Sequence, residues 1–300
     1  MAAISIRNVR HQYRGGRVAL GGVSLEIERG LFGLVGPNGA GKTTLMRIVC
    51  TLLVPTAGQV TVDGHDVVGH RGAVRRVLGF LPQEFGAWRV QRVAEVLDTL
   101  ALLAGVHHRT LRRRRVADML DLVGLTDVAT RKVKALSGGM LRRLGLAQAM
   151  LHDPPVLVVD EPTSGLDPAE RLRFRQLMAK LSEERTIVLS THIIADLALG
   201  CRDLAVLDRG QVIFRGHPQT LVDAARGSVF EWHATGAPAA ATGAVLSRAL
   251  MDDDVVVRSI VAPAGAPSGA RPVDTPSLEE AYLALMARHA PEDFAQELSS

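Results

Sequence analysis

Hydrophobic and polar positions alternate within residues 1–30, first at Ile4 and Ile6 and again from Val23 to Ile27. This period of two is typical of half-buried strands. Further strands are indicated by continuously apolar runs at 31–35, 156–159, 186–189 and 204–207. Runs of that kind occur in parallel sheets that helices cover on both faces. The pattern therefore predicts an α/β fold with a mostly parallel sheet.

The apolar period changes to that of a helix between about residues 88 and 152. Val93, Val96 and Leu97 fall on one stripe, and a second stripe lies within 116–123. Stripes with this spacing mark the buried face of an amphipathic helix. We therefore expect a helical subdomain at about 88–152.

The last part of the chain is rich in alanine, glycine and proline, as loops and linkers are. One short apolar run at 255–257 indicates a strand. Ser277 with Glu280 forms a capping box, which predicts a final helix. The shift in composition predicts a main domain over 1–226 and a C-terminal accessory region with Ala/Gly/Pro-rich linkers over 227–300.

Composition and charge exclude few classes of protein. The 300 residues are 47% hydrophobic, which is enough for a substantial core, and the formal charge of +4 neither demands nor excludes nucleic acid. Cys50 and Cys201 lie far apart in sequence, which suits a reducing cytosol. No secretory signal is expected, and no run approaches the roughly 18–20 apolar residues that span a bilayer. Any membrane role is therefore expected to come through a partner.

The segment GPNGAGKTT, which follows the run at 31–35, carries the strongest chemical signal. Its glycines let backbone N–H groups form a nest for phosphate oxygens, its lysine adds positive charge, and its first threonine hydroxyl is a magnesium ligand. A helical apolar pattern follows, so a helix N-terminus points at the anion. The nucleotide-binding residues predicted here are Gly36, Pro37, Asn38, Gly39, Ala40, Gly41, Lys42, Thr43 and Thr44. The alternative is a glycine-rich turn that joins a strand to a helix without a ligand.

Two adjacent carboxylates end the apolar run at 156–159. Asp160 is placed to hold Mg²⁺ directly or through water. Because neighbouring side chains on a strand diverge, Glu161 can act separately as the general base that polarises the attacking water. The alternative is a strand that ends in an acidic pair at the surface.

Two further segments have features of nucleotide binding. Ser137, Gly138 and Gly139 open another predicted helix and offer a hydroxyl and backbone amides to a second phosphate-binding surface, although such residues are also common in turns. Two such surfaces in one chain suggest a nucleotide clamped between them. Tyr13 is an isolated aromatic residue that can stack on a purine base. The alternative interpretation is that Tyr13 is an ordinary tyrosine of a strand.

Over about residues 1–225 these motifs resemble, in order and spacing, those of the ATP-binding subunits of ABC transporters. Eight features of the family are matched by position in this sequence. They are the base-stacking aromatic Tyr13, the Walker A loop 36–44, the Q-loop glutamine Gln83, the signature 136–140, the Walker B aspartate Asp160, the catalytic glutamate Glu161, the D-loop aspartate Asp167 and the switch histidine His192. The implied fold is a P-loop NTPase of the ABC ATPase type. It would have a mostly parallel sheet core, an antiparallel β subdomain, an α-helical subdomain and a small C-terminal accessory unit.

The resemblance also implies a composite site in a head-to-tail dimer. Each ATP would lie between the P-loop of one subunit and residues 137–139 of the other, with Asp167 also at the nucleotide. The implied catalytic residues are Glu161, His192 and Gln83. The implied Mg²⁺ ligands are Thr43, Gln83 and Asp160. Because the γ-phosphate is itself part of the interface, hydrolysis would release the dimer.

Within the family, the segments GFLPQEFG, LSGGMLRRLGLAQAM and PSLEEAYLALM resemble exporter-type subunits made separately from their permease. Met140 stands where importers more often have glutamine, and Arg92 stands where threonine is usual. We expect an ATP-hydrolysing subunit at the cytoplasmic face of the membrane, paired with a second ATPase subunit in a homo- or heterodimer. It would drive a separate integral membrane permease that exports a drug-like, lipid or natural-product substrate.

Two alternative functions stay open from the sequence. The first is a non-transport ABC ATPase that acts on nucleic acid or ribosomes, and the second is a soluble scaffold for cofactor assembly. ATPases of the first kind usually carry two such domains in tandem or long coiled-coil insertions between the P-loop and the signature. This sequence has one set of motifs, and the roughly one hundred residues between P-loop and signature are too few for such arms. No nucleic-acid partner is therefore expected.

Overall fold

The structure is a computed structural model that describes residues 3–197, 199–234, 244–251, 254–260 and 269–289. Within these ranges the strands are β1 (Ile4–Gln12), β2 (Val18–Ile27), β3 (Gly30–Val35), β4 (Ala57–Val62), β5 (His65–Asp66), β6 (Leu78–Leu81), β7 (Val156–Asp160), β8 (Thr186–Thr191), β9 (Cys201–Asp208), β10 (Gln211–Gly216), β11 (Val229–Ala234), β12 (Ala244–Met251), β13 (Asp254–Ile260) and β14 (Arg271–Pro272). The helices are α1 (Lys42–Val49), α2 (Arg71–Val77), α3 (Val93–Leu103), α4 (Arg109–Leu122), α5 (Gly138–Met150), α6 (Pro168–Ser182), α7 (Pro218–Ala224) and α8 (Leu278–His289). None of these helices has the length and apolarity to cross a membrane.

The elements form two compact units, Met1–Arg215 and Gly216–Ser300. The composition of the sequence shifts only near 227, so it places a boundary after residue 226. The structure groups α7 with the second unit because α7 packs against α8. The extent of the main domain as 1–226 stays a prediction.

The first sheet is antiparallel, with the strand order β2-β1-β4-β5. Its strands β4 and β5 follow each other directly in the sequence. Asp63 and Gly64 join them with φ angles of 48° and 76°. Two successive positive φ angles are the conformation that an Asp-Gly hairpin turn requires. This sheet is the antiparallel β subdomain that the family resemblance implied.

The second sheet has the strand order β10-β9-β3-β8-β7-β6, and its pairs β9/β3, β3/β8, β8/β7 and β7/β6 are parallel. Val35 lies opposite Thr191, and Asp160 lies opposite Ser190. The carboxyl ends of β3, β7 and β8 therefore meet at one edge of the sheet. In open α/β sheets this edge is where ligands bind.

A hydrophobic core lies between the two sheets and α1. Ile4 and Leu25 enter it from the antiparallel sheet, Phe32 and Val158 from the parallel sheet, and Ile48 from α1. Each of these side chains is at most 3% exposed. Burial of this apolar surface stabilises the packing of β3 and α1 against each other. The loop that joins these two elements is the predicted P-loop.

The predicted helical subdomain consists of α3, α4 and α5, which pack on one another. Val93, Val96 and Leu97 are fully buried, as their spacing predicts. Helix α5 also packs against β6. A Cβ at Gly145 of α5 would lie only 2.7 Å from the Leu81 Cδ1 atom of β6, so this helix approaches the parallel sheet very closely.

The second unit contains an antiparallel sheet with the order β12-β13-β11-β14. The run at 255–257 lies in β13, and the three other strands were not predicted. The predicted capping box is present at the start of α8. The Ser277 N–H donates to Glu280 Oε2 at 2.7 Å, and the Glu280 N–H donates to Ser277 Oγ at 3.1 Å.

Candidate active site

The loop between β3 and α1 is packed so closely against its neighbours that a side chain would not fit at two of its glycines. A Cβ at Gly36 would lie 2.0 Å from the carbonyl oxygen of Leu207. A Cβ at Gly41, whose φ is 106°, would lie 2.5 Å from the carbonyl oxygen of Ala19. The Gly210 N–H also donates to the carbonyl of Ala40 at 2.9 Å. The predicted P-loop is thus held between β2 and the end of β9.

Lys42 is the first residue of α1 and is only 5% exposed. Its Nζ donates to the carbonyl oxygens of Gly36 at 2.6 Å and Pro37 at 3.2 Å. The same Nζ lies 3.3 Å from Glu161 Oε1. The lysine therefore connects the P-loop directly to the end of β7. A buried charge needs such partners because its desolvation is costly.

The two carboxylates at the end of β7 have different partners. Asp160 is 1% exposed, and its Oδ1 accepts a hydrogen bond of 2.6 Å from Ser190 Oγ on the neighbouring strand β8. Glu161 is 4% exposed, and its Oε2 lies 2.6 Å from His192 Nδ1. The structure therefore brings Glu161, His192 and Lys42 together.

The backbone of Glu161 is unusual. Its φ is 47°, a left-handed conformation that is uncommon for residues other than glycine, and its N–H donates to the carbonyl of Ser190 at 3.0 Å. Residues held in such conformations depend on surrounding contacts and cluster at active sites. The turn redirects the chain at Glu161, immediately after the strand that carries Asp160.

Thr43, Gln83 and Asp160, the three predicted Mg²⁺ ligands, line one cavity of about 820 Å³. They offer a hydroxyl, an amide and a carboxylate, and Mg²⁺ prefers oxygen donors of this kind. Burial lowers the pKa of His152, which lines the same cavity, so its imidazole is neutral near pH 7. Burial, with a smaller contribution from the Asp160 charge, also raises the pKa of the Cys50 thiol, which is therefore protonated.

The loop that carries Gln83 is held by α5. Arg142 Nη1 of α5 donates to the carbonyl of Pro82 at 3.1 Å. Phe85 packs so closely that a Cβ at Gly145 would lie 2.8 Å from its ring. Gln83 itself is exposed at the mouth of the cavity, between the parallel sheet and the helical subdomain.

The predicted second phosphate-binding surface lies at the start of α5. Ser137 Oγ accepts the N–H of Met140 at 3.2 Å, and a Cβ at Gly138 would meet nothing within 4 Å. Ser137 and Gly138 are exposed, whereas Gly139 packs against Glu170 of α6. The surface is thus open to solvent at its first two residues.

Asp167 and Tyr13 lie at the periphery of the candidate site. Asp167 caps α6 by accepting the N–H of Glu170 at 2.9 Å, and it is exposed. The Tyr13 hydroxyl lies 3.0 Å from Thr44 Oγ1, and its ring meets the His11 imidazole edge-on at 4.6 Å between centroids. Tyr13 therefore lies against the first turn of the P-loop helix, and its stacking on a base stays a prediction.

Sequence comparison relates the chain to ATP-binding proteins of ABC transporters. It is 38% identical over 221 residues to the Nod factor export ATP-binding protein I of Ralstonia nicotianae, a match that covers 73% of this chain and 68% of that protein. It is 35% identical to the ABC transporter ATP-binding protein NatA of Bacillus subtilis, over 68% of this chain and 84% of NatA. The family described as ABC transporter matches residues 20–164.

This chain belongs to the ABC transporter ATP-binding family. It is therefore an ABC ATPase with a P-loop fold, as its motifs predicted. A further relative is the probable multidrug ABC transporter ATP-binding protein YbhF of Escherichia coli, at 36% identity. The match covers 76% of this chain but only 40% of YbhF.

Solved structures of ABC ATPases share the fold. CbiO1 of Clostridium perfringens, described as part of the ABC transporter complex CbiONQ, superposes with a TM-score of 0.66 at 26% identity, over 73% of this chain and 90% of CbiO1. The ATP-binding cassette MJ0796, solved as a dimer in a post-hydrolysis state with ADP and Pi, gives a TM-score of 0.64 at 27% identity. That match covers 71% of this chain and 98% of MJ0796.

Sequence reasoning missed several polar residues that support this ABC ATPase site. Ser190 holds Asp160, and Thr163, Thr191 and Asp196 form a buried hydrogen-bonded group behind Glu161 and His192. The sequence feature that could have identified Ser190 and Thr191 is their position at the end of an apolar run. Polar residues at the carboxyl end of a buried strand face the ligand edge of the sheet.

Proposed function

We propose that this ABC ATPase dimerises on ATP and that hydrolysis drives an exporter-type permease carried on a separate chain. The proposal assigns Glu161 as the general base, His192 as the residue that orients it and contacts the γ-phosphate, and Lys42 as the phosphate-binding cation. The single observation that carries it is the position of Glu161, whose two carboxylate oxygens contact Lys42 and His192. A base for water attack is thereby held beside the phosphate-binding loop.

The Lys42–Glu161 contact also suggests what ATP changes. When the β- and γ-phosphates enter the P-loop, their charge competes with Glu161 for Lys42. The carboxylate then loses one cationic partner and becomes free to accept a proton from water. His192 keeps it oriented through the Nδ1 contact and retains Nε2 for the phosphate.

The residues that would hold Mg²⁺ are Thr43, Asp160 and Gln83, which line one cavity. Bound there, the ion would neutralise the negative charge that develops on the transferred phosphoryl group. Ser190 supports this assignment, because its hydrogen bond fixes Asp160 Oδ1 and leaves the other carboxylate oxygen for the ion or its water.

An ATP-closed dimer is supported by the exposure of Ser137 and Gly138 at the start of α5. A hydroxyl, exposed backbone amides and a helix N-terminus form a surface for an anion supplied by another copy. The dimeric state of MJ0796, the export function named for the Nod factor relative and the multidrug transporter named for YbhF also support the proposal.

A permease partner is supported by the exposed apolar surface near Gln83. Trp88 is 47% exposed and lies on the loop that follows this residue. CbiO1, which has the same fold, belongs to a transporter complex. A permease contact there would hold the ATPase at the cytoplasmic face of the membrane. Through Gln83 it would also couple the permease to the presence or absence of ATP in the site.

Glu161→Gln tests the central assignment, because the amide keeps the shape of the side chain but cannot accept the proton. We expect normal ATP binding, a dimer trapped by ATP and Mg²⁺ in size-exclusion chromatography, and turnover reduced at least about 100-fold. Glu183→Gln, the same change at an exposed position, is the control. Hydrolysis by Glu161→Gln near the wild-type rate would falsify the role of the base.

The transport function has its own test. The tagged chain, purified from membranes of its own cells, is expected to retain an integral membrane protein that stimulates its ATPase activity in vesicles. Stimulation by DNA or ribosomes without a membrane partner would instead support the non-transport alternative. Recovery only with soluble proteins would support the scaffold alternative.

A further inference from the structure

A buried carboxylate that has no role in the proposed chemistry lies directly behind the active site. Asp196 belongs to a 3₁₀ segment, Ile194–Leu197, and is 2% exposed. Its Oδ2 accepts a hydrogen bond from Thr163 Oγ1 and lies 3.5 Å from Thr191 Oγ1. A buried charge is costly unless it is paired and hydrogen-bonded, so a neutral residue would be the simpler choice for packing alone.

The partners of Asp196 flank both residues of the proposed catalytic pair. Thr163 follows Glu161 by two positions, and Thr191 immediately precedes His192. Thr191 Oγ1 also accepts the N–H of Ile193 at 2.9 Å. One carboxylate thus joins the chain segment that leaves Glu161 to the segment that carries His192.

The same 3₁₀ segment is tied to α6. Arg175 Nη1 donates to the carbonyl of Ala195 at 2.8 Å, and Arg171 Nε lies 4.0 Å from Asp196 Oδ1. Helix α6 begins at Pro168, directly after its N-cap residue Asp167 in the predicted D-loop. Asp196 therefore touches three segments that meet behind the base, and all three belong to the first compact unit.

We propose that Asp196 is a positioning residue for ATP hydrolysis. It fixes the spacing between Glu161 and His192, whose Oε2–Nδ1 contact is 2.6 Å, and it supports the left-handed backbone of Glu161. The inference rests on the roles proposed above for these two residues. It assigns no contact with ATP to Asp196, which acts only through the segments it holds.

The negative charge of Asp196 is the feature that matters. A hydrogen bond to an ionised acceptor is roughly twice as strong as one between neutral groups, and only the carboxylate attracts Arg171 as well. An amide at this position keeps the volume but weakens both interactions. Because a shift of about 1 Å in a reacting group can cost about 100-fold in rate, a small relaxation of the Glu161–His192 geometry is enough to reduce kcat.

The test compares Asp196→Asn with Thr163→Val and Thr163→Ser in steady-state ATPase assays of the full chain. We expect Asp196→Asn and Thr163→Val to lower kcat at least about tenfold. The KM for ATP and the affinity for a fluorescent ATP analogue should stay within about twofold, because the P-loop is unchanged. Thr163→Ser keeps the hydroxyl that donates to Asp196 and is expected to retain most of the wild-type kcat. Asp127→Asn, at an exposed position, controls for the loss of one charge.

Each outcome decides the inference. If Asp196→Asn or Thr163→Val lowers kcat by less than about tenfold while Glu161→Gln is inactive, the positioning role is overturned and the proposed function stands. Parallel losses of kcat and nucleotide affinity overturn it too, since they indicate general disruption. If Glu161→Gln is active, the proposed function itself fails and the positioning role fails with it. If Asp196→Asn does not fold, the two Thr163 variants decide: equal kcat in both overturns the inference.

Discussion

At the scale of single residues, Glu161 contacts both of its proposed partners in the structure. One carboxylate oxygen lies 3.3 Å from the Lys42 ammonium and the other lies 2.6 Å from the His192 imidazole. The first partner belongs to the predicted phosphate-binding loop, and the second immediately follows β8. In the proposed mechanism, binding of phosphate would compete for the Lys42 contact and leave the His192 contact in place.

Lys42→Ala removes the cation of the P-loop, and we expect it to weaken binding of a fluorescent ATP analogue at least about tenfold. The reason is that a buried ammonium beside phosphate oxygens interacts strongly in a site of low dielectric. Fluorescence titration measures the effect, and Lys134→Ala, at an exposed lysine, is the control. An unchanged dissociation constant for Lys42→Ala would contradict the assignment.

The identities of the candidate site residues could be predicted from the sequence because their motifs have fixed spacing along the chain. The contacts among them could not. The Asp160–Ser190 and Tyr13–Thr44 hydrogen bonds join residues 30 and 31 positions apart. Such contacts depend on the order of strands in the sheet and on the packing of α1, which local patterns do not specify.

At the scale of elements, the start of α3 shows how a local substitution is compensated. Arg92 occupies the cap position where threonine is usual in the family. The Glu95 carboxylate accepts the N–H of Arg92 at 2.9 Å and so satisfies one donor at this helix terminus. The carboxylate also interacts favourably with the helix dipole. Helix α3 therefore begins at Val93 with its terminal donor satisfied by Glu95.

Glu95→Ala is expected to lower the free energy of unfolding by about 1 kcal/mol, the usual effect of losing a helix cap. Glu95→Gln is the matched control, because its amide oxygen can still accept the Arg92 N–H. Urea unfolding followed by circular dichroism measures both variants. Equal destabilisation by the two substitutions would show that the charge, and not the hydrogen bond, stabilises this terminus.

The sequence predicted elements well where the apolar period is regular, as in α3, where Val93, Val96 and Leu97 are all buried. It predicted the second unit poorly. Only the run at 255–257 was assigned to a strand there, whereas the structure forms β11 to β14. Antiparallel strands with mixed composition gain their stability from cross-strand neighbours. Their pairing register is not visible in one segment.

At the scale of the whole first unit, Asp153 connects elements that are distant in sequence. It lies in the turn between α5 and β7. Its carboxylate accepts hydrogen bonds from Arg115 of α4 at 2.8 Å and from Arg185, just before β8, at 2.6 Å. Burial alone would raise the pKa of Asp153, but the hydrogen bonds and charges of the two arginines outweigh it, so the pKa is lowered from its ordinary value of 3.8.

Asp153→Asn tests this linkage. A carboxyl whose pKa is lower in the folded state stabilises the fold above its unfolded-state pKa, and this stabilisation is lost as the pH falls through the folded-state pKa. Because the side chain is 43% exposed, solvent screening limits the effect to about 1 kcal/mol at pH 7. We expect urea unfolding to show the variant less stable than wild type at pH 7, with the difference shrinking below about pH 4.

The control is Asp121→Asn, which removes an exposed carboxylate on the same face. A stability difference that is constant from pH 7 to pH 3 would mean that packing, and not the charge of Asp153, holds these elements together.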